Sequence, residues 1–131
     1  MPYITSFVFC DTIERDVNNG KRIINPLTQL SPIALPGNYT FSYSISVADV
    51  DTHIDNNLKL IFTTGGESNQ LLDINIPKDS IPLEEDEPVL TLDGEIRNYV
   101  FKKPGIAEMT LIINGETIQT QKIKIVLGHY E

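Results

Sequence analysis

Tryptophan is absent from this chain and cysteine occurs once, at Cys10. A single thiol excludes an internal disulfide, and with it the cross-linked framework on which small secreted domains rely, so a reducing, cytoplasmic setting is the expectation. Basic residues are scarce: ten Lys and Arg stand against eighteen Asp and Glu, for a net charge of −8. Such a surface repels phosphate backbones and anionic headgroups, which argues against nucleic acid and against membranes as partners. No apolar run approaches the roughly 18 residues of a membrane span. The opening Met1-Pro2-Tyr3-Ile4-Thr5-Ser6 lacks the basic segment and apolar stretch of a secretory signal. Helical periodicity is missing too. No window of helical length repeats apolar residues at spacings of three and four, and the eight prolines leave few such windows.

What is present fits one globular domain spanning residues 1–131. The chain is 40% hydrophobic and 21% charged, the balance of a folded protein and not of a disordered one. Its clearest local signal is Asn114-Gly115, a pair suited to the positive φ angles of a type I′ turn. Before it, Met109, Leu111 and Ile113 share one face of a strand. After it, Ile123, Ile125 and Leu127 alternate with Lys122 and Lys124. A hairpin follows. Ile118 and Ile123 have opposite parity, which predicts a bulge between Gln119 and Lys122.

Further strands follow from the same two-residue period. Residues 3 to 10 are aromatic and β-branched, and predict a strand ending near Cys10. Residues 22 to 35, broken by Pro26 and Pro32, predict an irregular stretch or an edge. Tyr39, Phe41, Tyr43, Ile45 and Val47 fall on one face with Ser42, Ser44 and Ser46 on the other, the clearest pattern of a core strand in the chain. Leu58, Leu60 and Phe62 precede Gly65-Gly66, read as a plain turn because neither a helix nor a lysine follows to complete a phosphate loop. Leu72, Ile74 and Ile76 run up to Pro77. Val89 to Leu92 and Ile96 to Phe101 read as two short strands around Gly94. Seven to eight strands with little helix predict an all-β, two-sheet antiparallel β-sandwich of immunoglobulin-like architecture, with a closed barrel or a jelly roll as alternatives.

The segments Phe7-Val8-Phe9-Cys10-Asp11, Phe41-Ser42-Tyr43-Ser44-Ile45 and Leu58-Lys59-Leu60-Ile61-Phe62, with the closing hairpin, resemble an uncharacterised bacterial family of small immunoglobulin-like sandwich proteins. The resemblance covers most of the chain and implies a fold without an activity, since it brings no catalytic residues and no cofactor. Gly65-Gly66 departs from the Asp-Gly turn expected there.

Two constellations carry candidate chemistry. Asp49, Asp51, His53 and Asp55 fall at every second position, so an extended backbone would turn all four to one side and offer oxygen and imidazole ligands to a divalent cation. The glycine and distal bidentate carboxylate of calcium loops are missing, and a solvated polar loop is the simpler reading. Glu84, Glu85, Asp86 and Glu87, between Pro82 and Pro88, concentrate like charges into an exposed link that would steer a basic partner. Nucleophilic catalysis lacks a motif: His53 and His129 are the only imidazoles, and Cys10 ends an apolar strand where a thiol serves as a small hydrophobe.

The leading functional expectation is a non-enzymatic module that binds an unidentified protein partner. The second is a structural component of a phage or mobile-element assembly, for which self-association into a homo-oligomer would be diagnostic. The third is a metal-binding protein or enzyme using Asp49, Asp51, His53 and Asp55.

Overall fold

The alternating stretch around Phe41 becomes the centre of one of two stacked sheets. The computed structural model describes residues 2–16, 20–79 and 89–128. Nine strands run through them: β1 (Tyr3–Asp16), β2 (Gly20–Pro26), β3 (Gln29–Leu30), β4 (Gly37–Ala48), β5 (Asn56–Thr64), β6 (Glu67–Ile76), β7 (Val89–Phe101), β8 (Gly105–Ile113) and β9 (Glu116–Ile125). One sheet has the order β2-β1-β4-β7 and the other β3-β9-β8-β5-β6. All pairings are antiparallel except that of β3 with β9. Strands β9, β8, β5 and β6 take the places of G, F, C and C′ in an immunoglobulin sandwich, and β4 and β7 those of B and E. Among the described residues no helix is long and apolar enough to cross a membrane.

The core explains how the sandwich closes without the cysteine pair and tryptophan of antibody domains. Phe41 on β4 and Phe62 on β5 meet across the sheets with ring centroids 5.6 Å apart. Phe9, Tyr39, Tyr99 and Phe101 extend the contact into a continuous aromatic cluster. Leu58, Leu60, Met109 and Leu111 fill the five-stranded side, and all four are fully buried. Emptying one such aromatic position typically costs about 3–5 kcal/mol, comparable with the whole stability of a marginal domain.

Several expectations are corrected. Nine strands stand where seven to eight were expected, because the proline-broken stretch, read as irregular or an edge, supplies the edge strands β2 and β3 of the two sheets. Strand β1 does not end at Cys10. There it changes partner, pairing with β4 through Cys10↔Ser42 and with β2 from Cys10↔Pro26 up to Asp16↔Gly20. Strand β7 is continuous past Gly94. Its register against β4 shifts between Tyr39↔Tyr99 and Phe41↔Ile96, inserting one residue at Arg97-Asn98. Asn98 takes φ 52° there, and its N–H donates to Thr40 Oγ1 at 2.9 Å. The bulge flips the parity, so that Tyr99 and Phe101 turn inward like Ile96 while Val100 is exposed.

The C-terminal hairpin forms as expected, with φ 53° at Asn114 and 81° at Gly115. Its bulge, however, is at Ile118, between Leu111↔Gln119 and Ile112↔Thr117, and not between Gln119 and Lys122. The parity change is absorbed next to the turn. Ser42 and Ser44, on the face of β4 opposite Phe41 and Ile45, are buried. The chain just past Cys10 lies close to that face: Ser42 Oγ donates to the Asp11 carbonyl at 3.4 Å.

Candidate functional site

One end of the sandwich gathers three connections from distant parts of the chain. The first, residues 49–55, leaves β4 and enters β5; the second follows β6 at Pro77; the third is the Asn114-Gly115 turn. Backbone and side-chain hydrogen bonds tie them together. The Asp79 N–H donates to the Thr52 carbonyl at 2.8 Å, and the Lys78 N–H donates to Asp55 Oδ1 at 2.8 Å. His53 Nδ1 lies 3.1 Å from Asp79 Oδ1. Asn114 links the third connection: its Oδ1 accepts from the Asn57 N–H at 2.8 Å, and its Nδ2 donates to Asn56 Oδ1 at 2.9 Å.

The segment 49–55 is a turn and not an extended strand. Asp49 adopts φ 62°, and Val50 and Thr52 are buried beneath exposed Asp51, His53 and Asp55. Asp51 Oδ1 accepts from the His53 N–H at 2.9 Å, an Asx turn that fixes the tip. The Asn56 side-chain amide donates to the Asp51 and Ile54 carbonyls at 2.8 and 3.3 Å. Asp51 and Asp55 thus spend an oxygen each on main-chain N–H groups. Among the described residues no three His, Cys, Asp or Glu side chains form a group able to hold a metal ion. Glu84, Glu85, Asp86, Glu87 and His129 lie outside the described residues.

Electrostatically this end is acidic. Asp49, Asp51, Asp55, Asp73 and Asp79 are exposed on it, with Lys78 and His53 as the basic groups among the described residues of the three connections. A shallow hollow of about 330 Å³ opens beside them, lined by Asp55, Asn57, Asn75, Ile76 and Asn114 among others. Asn57 Nδ2 spans its floor, donating to Asp73 Oδ1 at 2.8 Å and Asn75 Oδ1 at 2.9 Å. Asn114 was legible in the sequence only as a turn residue, and Asn56, Asn57 and Asn75 had no assigned part. Their signal is Asn or Asp at strand ends, where side-chain amides stand in for missing ladder partners.

Comparison with solved structures decides the fold class. An immunoglobulin-like protein from Pseudomonas aeruginosa superimposes with a TM-score of 0.50 and 11% sequence identity, over 96% of this chain and 97% of that one. The fold is immunoglobulin-like. The expected resemblance to small bacterial sandwich proteins of this kind therefore holds at the level of fold. Alkylpurine DNA glycosylase AlkC from Pseudomonas fluorescens, bound to DNA containing an abasic site analog, also matches, with a TM-score of 0.47 and 10% identity. That match covers 95% of this chain and 30% of the glycosylase. No protein-family model matches the chain, and no curated protein matches it. In immunoglobulin sandwiches the B–C and F–G loops cluster at one end. Residues 49–55 and 114–115 occupy the corresponding connections here.

Proposed function

We propose that this protein is a non-enzymatic binding module whose acidic loop end docks a basic protein partner. The observation that carries this reading is the joining of three separate connections into one hydrogen-bonded, acid-rich surface. A surface held this way loses little conformational entropy on binding. Its exposed carboxylates attract a cationic partner from beyond contact distance, over a screening length of about 8 Å at physiological salt. The segment Glu84-Glu85-Asp86-Glu87, which follows Asp79 in the chain, adds negative charge of the same sign.

The test is anisotropy of a labelled lysine-rich peptide, titrated with three proteins: the wild type, Asp49→Asn/Asp79→Asn, and a variant with residues 84–87 neutralised to Gln and Asn. Asparagine tolerates positive φ as aspartate does, so the first variant removes charge at φ 62° and 59° while keeping the backbone preference. Weaker, more salt-tolerant binding by both variants is expected. Equal binding by all three proteins, or none by the wild type, refutes a basic partner at this end.

A further inference from the structure

The opposite end of the sandwich carries a cleft of different chemistry. It lies between the β5–β6 turn and the β7–β8 connection and has a volume of about 350 Å³. Phe101 and Ile125, both buried, line it from the core side. Val100 and Ile106 also line it, at 52% and 50% exposed, and are two of the six large hydrophobic side chains left open among the described residues. Tyr99 is anchored in the wall, its hydroxyl accepting from Asn69 Nδ2 at 2.9 Å and lying 3.4 Å from Thr64 Oγ1.

The polar element is a pair of adjacent cations, Lys102 and Lys103, in a chain of net charge −8. Lys102 Nζ sits 3.1 Å from Glu67 Oε1, but both side chains are about two-thirds exposed, at 70% and 66%. Exposed pairs of this kind contribute little, so a ligand carboxylate can displace Glu67 at small cost. No carboxylate among the described residues forms an ion pair with Lys103. A Cβ at Gly66 or Gly105 would meet nothing within 4 Å, which leaves main chain bare at the rim.

From these observations we propose that the cleft binds an extended acidic and aliphatic segment of a partner protein. A partner carboxylate meets Lys102 and Lys103, and a neighbouring aliphatic side chain covers Val100 and Ile106. The volume lies at the lower end of the roughly 300–1,000 Å³ typical of ligand sites, which suits one or two side chains better than a nucleotide. The apolar wall demands an occupant with more than charge, which sets a peptide apart from a free anion. This site is independent of the acidic end, and the two select partners of opposite sign.

The experiment titrates a short labelled peptide alternating Glu with Leu or Ile, alongside its Lys-for-Glu counterpart. Saturable binding of the acidic peptide is expected, weakened about tenfold by Lys102→Gln/Lys103→Gln and severalfold by Ile106→Ser. Glu67→Gln should tighten it by freeing Lys102, whereas Glu116→Gln, at the other end of β9, should leave it unchanged. Failure of the acidic peptide to bind, indifference to the lysine variant, or equal tightening by both glutamate variants overturns the proposal. Full competition by inorganic phosphate overturns it in favour of a bare anion site. Concentration-dependent self-association in sedimentation, abolished by the same lysine variant, overturns it in favour of a second copy of the chain. None of these outcomes bears on the lysine-rich peptide at the acidic end, so the two readings fail separately.

Discussion

A methyl group placed on Gly94 would overlap the phenol of Tyr43, its direct partner across the β4–β7 ladder. The tyrosine ring lies over the glycine, which leaves Tyr43 7% exposed although it sits on a strand next to the sheet edge. Gly94 is therefore a space for an aromatic ring and not a break between strands.

Gly94→Ala should lower stability by about 1–3 kcal/mol, the usual cost of forcing extra volume into a packed contact. Tyr43→Phe should not rescue it, because ring carbons overlap the added methyl as well as the hydroxyl does. Combining Gly94→Ala with Tyr43→Ala should cost less than the two single losses summed, since the overlap disappears with the ring. Urea midpoints of the wild type, the single variants and the two double variants check this, and strict additivity of Gly94→Ala with Tyr43→Ala would contradict the packing described.

Alkaline pH should act through the same residue. Burial raises the Tyr43 pKa above its ordinary 10.0, and the negative charge of Asp93 pushes it the same way. Tyr39 is also raised, mainly by burial, with Asp11 adding and a backbone hydrogen bond from Ser31 opposing. The folded state then holds these protons more tightly than the unfolded state does. The associated stability is fully present below about pH 10 and is lost as pH rises through the folded pKa values. Urea midpoints should therefore be level between about pH 8 and about pH 9.5 and fall above about pH 10, with part of the fall abolished in Tyr43→Phe. A midpoint rising over that upper range would reverse the assignment.

Asn114 offers a test of the loop end. Its φ of 53° suits glycine, so turn preference alone predicts that Asn114→Gly is neutral or stabilising. The structure predicts the reverse. The substitution removes both side-chain hydrogen bonds to the start of β5 and leaves Asn56, which is 3% exposed, short of a partner. A loss of about 1–2 kcal/mol is expected, with faster amide exchange at Asn57 as the local signature.

How far the fold was legible depends on how local each signal was. The Asn114-Gly115 hairpin and the alternation from Tyr39 to Val47 depend on neighbours in sequence, and both formed as expected. The continuity of β7 was hidden because Ile96 and Tyr99 differ in parity, and the bulge at Asn98 that reconciles them exists only against Thr40 on another strand. The extension of β1 to Asp16 had little apolar signature, with Ile13 the one hydrophobic residue between Asp11 and Asp16, and that part pairs with β2 at the sheet edge. At the loop end, residues 49–55 were recognisable as polar, but nothing near them in sequence announces that Asp79 and Asn114 arrive beside them. Loop composition was visible; the meeting of loops required the sheets.

Cys10 is fully buried at the point where β1 passes from β4 to β2. An alkylating reagent can reach that sulfur only when the seam between the two pairings parts. Because the chain contains no other thiol, the rate of its labelling is a clock for the opening of this one corner, and comparing it with the global unfolding rate tells whether the β1–β2 ribbon peels away on its own or only when the whole sandwich comes apart.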